Sequence, residues 1–411
     1  MIKKLIISCI LVICLSACTS KNEGTVDDAL NKLSKDNNFS SEWNGENYIN
    51  FKYKYGESED VFYYVNAQQM YYINKNEGKM ILMCTKPECD HIIYKDNKRV
   101  YGCEALYADN MDVQVYNGKL YADGKPENEN VQSLIVSNVD GTDKTVAIHN
   151  INKRWDKELE NLADDKIYNV VGSTRWTIYE DIVYVYTSIG ASGGNNMDFY
   201  IDKYDLNTGE YIGELFKQTF EGSNLITQEV IRYDNKILLK LSIEIGANEV
   251  EHQEKEMYLE VDMADGSASD IKVPSTKTEA LYNGKVIYQP KADNVYETDS
   301  NNQPKVCIEL NDFEKECGVL ITSLDKYLLI TPLFIYAPET EKITYYTKVY
   351  DENYKLLETI ELPEDVLPMA GCSNEILLRA RNDELFAHRY FGIDASQIGT
   401  GNVEVKEYTV Q

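Results

Sequence analysis

The alternation of apolar and polar positions divides the chain near residue 46. Before that point lie one largely apolar run, "LIISCILVICL", and a polar stretch with a single amphipathic turn in "TVDDALNKLSK". Beyond it come short Tyr/Val/Ile/Leu-rich runs divided by Asn, Asp and Gly, the pattern of strands punctuated by tight turns. These runs recur. "YNGKLYA" at 116, "YEDIVYV" at 179, "YDNKILL" at 233 and "YNGKVIY" at 282 share an aromatic, a turn pair and an apolar strand. "LDKYLLI" at 324 and "CSNEILL" at 372 are weaker copies, and "YGESEDVFYYV" at 55 is a stretched one.

The seven copies are spaced by 61, 63, 54, 49, 42 and 48 residues, and each is followed by a second turn signal. Those signals are "NKNEG", "NVDGTD", "DLNTGE", "MADGS", "DSNNQ", "DENYK" and "DASQIGTGN". Two hairpins per period give four antiparallel strands per period, and periods near this length describe propeller blades. The sequence therefore predicts an all-β, seven-bladed β-propeller of four-stranded antiparallel blades over residues 46–411. Two packed β-sandwiches are the rival, and the even spacing argues against them. A strand from residues 46–55 is expected to close the ring against the C-terminal "NVEVKEYTV".

Within a blade of strands A to D, the A–B and C–D turns share one face, and the B–C and D–A connections share the other. Nearly all long insertions fall in the second set: "ADGKPENEN", "TSIGASGGNN", "IGANEVEHQEKE", "PLFIYAPETEK", the cysteine stretch 84–103 and residues 149–175. Long loops gathered on one face make that face the candidate binding surface. One helix is predicted, over "KRWDKELENLADD" at 153–165, where Trp155, Leu159 and Leu162 share a side. That stripe either packs on the propeller or, with Arg154 beside Trp155, forms a contact patch.

The N-terminus changes the picture of where this domain works. Lys3 and Lys4 precede an apolar run too short to span a bilayer, which ends in "LSAC" at Leu15 to Cys18. This resembles the lipobox of bacterial lipoproteins; an ordinary secretory signal is the alternative. The resemblance implies loss of the signal peptide 1–17, a lipid on Cys18, a polar tether over 18–45, and a cell-membrane, extracytoplasmic address. The formal net charge of -27 becomes -29 once Lys3 and Lys4 are removed. A surface this acidic repels phosphate backbones, so no nucleic-acid partner is expected.

The strand starts of the "NGKLY" kind and the "DLNTGE" and "DGT" turns, downstream of that lipobox, are similar to those of the TolB-like lipoprotein propellers of anaerobic Gram-positive bacteria. The resemblance covers roughly residues 46–411 and implies the propeller fold and a cell-surface address, with little biochemistry.

The densest candidate chemistry is "CTKPECDHIIYKDNKRVYGC", which spaces Cys84, Cys89, His91 and Cys103 as Cys-x4-Cys-x-His-x11-Cys. Three thiolates and an imidazole can complete a closed tetrahedral zinc site that pins a long crossover. An extracytoplasmic address equally allows one disulfide, leaving one cysteine over, or three reduced cysteines without a ligand. Members of the resembled family often carry a similar pattern at the first crossover, which implies a structural role. Cys307, Cys317 and Cys372 read as small buried apolar residues, with a Cys307–Cys317 pair as the other possibility. Ser192 in "GASGG" lacks the helix a nucleophile elbow requires. His252 lies in the acidic loop "NEVEHQEKE", without calcium-loop spacing. The expected function is a binding or scaffolding module with a protein or glycan ligand. The alternatives are an enzyme acting on polysaccharide or peptide at the channel mouth, and a sensor or accessory subunit of an envelope complex.

Overall fold

The computed structural model describes residues 48–410 apart from 51–54, 59, 67, 93, 96–97, 100–102, 108–111, 125–130, 153–167, 170–173, 192–195, 246–252, 275–277, 325, 334–343, 372–373 and 381–388. A short strand, β1 (Tyr48–Asn50), comes first. Blade 1 is β2 (Tyr55–Glu57), β3 (Val61–Asn66), β4 (Gln69–Asn74) and β5 (Lys79–Leu82), followed by a hairpin of β6 (Tyr94–Lys95) and β7 (Lys98–Arg99). Blade 2 is β8 (Val113–Tyr116), β9 (Lys119–Gly124), β10 (Ser133–Asn138) and β11 (Thr145–Ile148). After β12 (Tyr168–Asn169), blade 3 is β13 (Arg175–Tyr179), β14 (Ile182–Ala191), β15 (Asn196–Asp205) and β16 (Tyr211–Glu221).

Blade 4 is β17 (Asn224–Tyr233), β18 (Lys236–Ile245), β19 (Gln253–Asp262) and β20 (Ala268–Ile271). Blade 5 is β21 (Thr278–Tyr282), β22 (Lys285–Gln289), β23 (Val295–Thr298) and β24 (Lys305–Ile308). A helix, α1 (Asp312–Cys317), leads to blade 6, β25 (Val319–Leu324), β26 (Tyr327–Pro332), β27 (Tyr346–Tyr350) and β28 (Leu356–Glu361). Blade 7 is β29 (Val366–Gly371), β30 (Glu375–Ala380), β31 (Tyr390–Asp394) and β32 (Val405–Val410).

Among the described residues seven apolar clusters settle the blade count, because each fills the gap between two successive blades. Tyr116, Leu134 and Ile148 of blade 2 meet Trp176, Ile178 and Val183 of blade 3 in one such cluster. The seventh gap joins the ends of the chain: Phe62, Ile73 and Met80 of blade 1 pack with Leu377, Tyr390 and Tyr408 of blade 7. The protein is a seven-bladed β-propeller. The repeated sequence copies mark the A–B turns of the seven blades, and the second turn signals mark the C–D turns.

Burial explains why the first signal was the stronger. Second strands lie between flanking blades, so both faces are covered and the run is continuously buried and mostly apolar, as in "VIYQ", "LLITP" and "ILL". Outer strands such as "TVAI", "ASDI" and "KVCI" bury little but their last residue and carry less pattern. At the A–B turns Asn117–Gly118 and Asn283–Gly284 have positive φ at both positions, as a type I′ hairpin needs.

The C–D turns hold neighbouring blades together. In blade 3, Gly209 has φ +71°, and a Cβ there would come within 2.8 Å of the Ala147 carbonyl of blade 2. Gly266 of blade 4, with φ +73°, sits more tightly still on the Leu215 carbonyl of blade 3. The Gly401 N–H donates to Glu358 of blade 6 at 3.0 Å. Near the channel, side chains of one blade serve the inner edge of the next. Gln114 donates to the Ile178 carbonyl at 3.0 Å and accepts from the Ile178 N–H at 2.8 Å. Gln289 accepts from the Val319 N–H at 3.0 Å.

Three features differ from the sequence reading. Strands β14 and β15 take in most of "TSIGASGGNN", so that only 192–195 connect them. Residues 48–50 do not pair with the C-terminal strand: β1 pairs antiparallel with β17 of blade 4. The ring closes instead at its rim, where β32 pairs parallel with β5 through Thr409↔Lys79 and Val410↔Met80. Each blade is thus complete in itself. The helix α1 was not anticipated; its signal was Asn311-x-x-Glu314, a capping box with both reciprocal bonds formed. The predicted helix 153–165 lies outside the described residues. Among these residues no helix is long and apolar enough to cross a membrane.

Asp123 sits wholly buried in the blade 2–3 gap, accepting from the Trp176 indole N–H at 2.8 Å, Gln132 at 3.0 Å and the Asp112 N–H at 2.9 Å. Burial, then the neighbouring Asp112 charge, pushes its pKa up to about 7. Because the folded state holds this proton more tightly than the unfolded chain, the stabilisation is present in acid and lost as pH rises through about 7. With Trp43 and Trp155 replaced by Phe, the emission of Trp176 should shift with a midpoint near pH 7, and Asp123→Asn should abolish that transition. A flat titration of the parent would contradict the buried-carboxyl assignment.

Gly118 also has a positive φ, +68°, but a Cβ there would meet nothing within 4 Å. Gly118→Ala should therefore cost only the left-handed backbone term, about 1–2 kcal/mol. Gly266→Ala adds overlap with a neighbouring blade's carbonyl and should cost about 1–3 kcal/mol more. Equal shifts in the urea midpoint would remove the turn-on-rim contact from the account.

Candidate functional site

The D–A connection after blade 1 carries Cys84, Cys89, His91 and Cys103, and the fold brings all four together. One donor atom from each lies within 4.8 Å of the other three. Cys84 and Cys103 are buried, Cys89 is half-buried and His91 is exposed. Local chemistry sets each ligand. The Cys89 N–H donates to the Lys86 carbonyl at 3.2 Å, closing a turn with Pro87 at its second position, where proline's fixed φ is suited. His91 adopts φ +55°, and Gln69 of β4 donates to its carbonyl at 2.8 Å. The eleven-residue spacer contains the β6–β7 hairpin, which pairs Tyr94 with Arg99 and so reverses the chain between His91 and Cys103.

Distances test the fit. Cys103 Sγ lies 3.6 Å from His91 Nδ1. A tetrahedral ion about 2.3 Å from sulfur and about 2.0–2.1 Å from nitrogen requires an S···N edge of about 3.6 Å. None of the three cysteines is in a disulfide. The thiols also compete for charge. Burial opposes the Cys84 thiolate, but the backbones of Lys86 and Glu104 and the thiols of Cys89 and Cys103 hold it below the ordinary thiol value. Cys103 is pushed up to about 12, by burial and then by the Cys84 charge. A cation at the centre relieves that conflict. The cluster can hold one metal ion, and four protein ligands leave no open position for a substrate.

The residues supporting the ligands were not visible in the spacing. Thr85 follows Cys84 and Glu104 follows Cys103, and Glu104 accepts from the Thr85 N–H at 3.1 Å and hydroxyl at 2.7 Å. This link holds the two buried cysteines side by side. Lys144 of blade 2 donates to the Glu104 and Leu106 carbonyls and lies 3.7 Å from the Tyr107 ring centroid. Burial pushes its pKa down to about 8. Only adjacency to the cysteines could have pointed to Thr85 and Glu104; nothing in the sequence pointed to Lys144. A cavity of ≈ 450 Å³ lined by Lys86, Pro87, Glu88, Asp90 and Ile92 opens beside Cys89.

Cys18, Arg154, Trp155, Ser192, His252 and Cys372 lie outside the described residues. The strand ends that flank 149–174 and 246–252, at Ile148, Arg175, Ile245 and Gln253, lie by strand order on the same face as the cysteine crossover. Neither Cys307 nor Cys317 is in a disulfide, and Cys317 is buried as expected.

No family model and no curated protein matches the chain. Among solved structures it is similar to the β-propeller domain of the Trilobed protease from Pyrococcus furiosus, described as having an open velcro topology. That match has 12% identity over 87% of this chain and 96% of that one, with a TM-score of 0.44. A GH43 endo-arabinanase from Bacillus licheniformis matches at 12% identity over 73% of this chain and 93% of that one, TM-score 0.29. Prolyl oligopeptidase B from Galerina marginata matches at 10% identity over 81% of this chain and 44% of that one, TM-score 0.36. At such scores the likeness carries no functional argument, and the fold rests on the strand order itself.

Metal analysis of protein prepared under reducing, chelator-free conditions should return close to one equivalent of tightly held metal. Cys89→Ser should lower metal affinity by at least tenfold and speed amide exchange in residues 84–107 without melting the other blades. Less than about a tenth of an equivalent in the parent protein would end the metal assignment.

Proposed function

We propose that this protein is a TolB-like lipoprotein propeller, anchored through Cys18 on the extracytoplasmic face of the cell membrane, that acts as a binding or scaffolding module. The ligand is a protein or glycan, taken up on the face that carries the long connections. Zinc held by Cys84, Cys89, His91 and Cys103 is structural in this reading: soft thiolate ligands and a closed tetrahedron suit it, and it staples the crossover between blades 1 and 2.

The observation that carries the proposal is the asymmetry of the two faces. The B–C and D–A connections 83–112, 125–132, 149–174, 246–252, 333–345 and 381–389 all open on one face, whereas on the other the A–B turns are two or three residues long and the C–D turns four to six, with one of ten in blade 7. A fold that needs only short turns to close its blades has no structural use for six long connections at one end. The charge of -27 turns the module away from nucleic acid.

The test is binding to cell-wall polysaccharide and to envelope protein fractions by the full chain. Replacing 125–130 and 246–252 with short turns should weaken binding at least tenfold, while Asn117→Lys on the opposite face should leave it unchanged. Equal loss from both faces would overturn the reading, as would turnover of a bound polysaccharide or peptide.

A further inference from the structure

The position of β1 has a topological consequence. It pairs with the edge of β17 that faces away from β18, in the register Tyr48↔Ile231, Ile49↔Val230 and Asn50↔Glu229. As the first strand of blade 4, β17 meets the first strand of blade 5 and the second strand of blade 3 across the gaps on either side, so that edge looks into the channel. β17 runs from the long-connection face at Asn224 to the short-turn face at Tyr233. An antiparallel β1 must run the other way, with Tyr48 nearer the short turns and Asn50 nearer the long connections.

The next described strand, β2, begins blade 1, three blades away around the ring. Five Cα steps join Asn50 to Tyr55, a reach of at most about 18 Å. That length allows a path across the axis and excludes a detour around the rim. A strand at this place also answers a physical need. An inner edge presents unpaired N–H and C=O groups, and the preceding blade's side chains serve those groups at Ile178 and Val319. On blade 4 a backbone strand does so.

We propose that Tyr48–Asn50 is an axial strand that threads the channel from the short-turn face, so that the tether leaves opposite the long connections and holds them facing away from a lipid surface. The orientation rests on the lipid anchor proposed above; the threading does not. The short-turn face suits a standing-off position, because Asp181, Asp234, Asp265, Asp299 and Asp351 sit at its turns and repel anionic headgroups within a Debye length of about 8 Å.

Two measurements on the full chain in native membranes separate these claims. With p-benzoylphenylalanine at position 49, irradiation should link that residue to the blade 4 peptide containing Val230. Linkage to residues 403–410, or to no part of the chain, would overturn the threading. Because the probe is bulky, amide exchange of 48–50 in the unmodified chain is read alongside: protection at least a hundredfold over random coil is expected, and random-coil rates would overturn the proposal. For orientation, a fluorophore on a noncanonical residue at 207 or 221 marks the two ends of blade 3. Energy transfer to a headgroup-level lipid dye should be stronger from 207, and equal or reversed transfer would overturn the outward-facing arrangement. Cys18→Ala should abolish transfer from both positions and keep the crosslink. Retention of that variant on the membrane would sink the anchor, while the crosslink still judges the threading alone.

Discussion

Everything in this fold depends on the need of each blade to cover both faces of its sheet. A four-stranded sheet with a mostly apolar second strand is stable only between two neighbours, so an open row of blades would always leave two faces bare. The seventh gap removes that problem. Seven side chains, Phe62, Tyr64, Ile73, Met80, Leu377, Tyr390 and Tyr408, are buried there. At roughly 1.5–3 kcal/mol each, their gross burial is on the order of 10–20 kcal/mol. Closing a loop of some 350 residues costs about 5 kcal/mol. Burial wins, and the ring closes without sharing a blade between the two ends of the chain.

Polar contacts fix the register of that closure. Lys75 is buried and donates to Glu57 at 2.6 Å, to the Ser58 carbonyl at 2.8 Å and to Asn374 of blade 7 at 2.9 Å. Its ammonium lies 4.4 Å from the Phe62 ring centroid. The pair of β5 with β32 is the same rim contact that Gly209 and Gly266 make elsewhere, extended into a short parallel ladder. The closing joint therefore reuses the device seen between blades 2 and 3 and between blades 3 and 4.

The blade count was legible because the A–B turn and second strand are constrained twice, by a left-handed turn pair and by burial on both faces. Outer strands are half exposed and carried a weaker pattern, which is why β32 was assigned the wrong partner. The three residues of β1 could pair with any open edge, and sequence alone does not say which edge remains open. At the metal cluster the ligands were visible from their spacing. Lys144 was not, because a contact between blades has no signature in local sequence. The long connections were readable as belonging to one face, since that follows from strand order, but Arg154, Trp155 and His252 within them lie outside the described residues.

The central claim is a ring closed at the rim between two complete blades. It is tested most directly by amide exchange of the C-terminal strand. The Thr409 N–H donates to the Gly78 carbonyl at 2.8 Å. The account predicts that Thr409 exchanges as slowly as amides in the middle of blade 7. Exchange at the rate of a frayed terminus would contradict it.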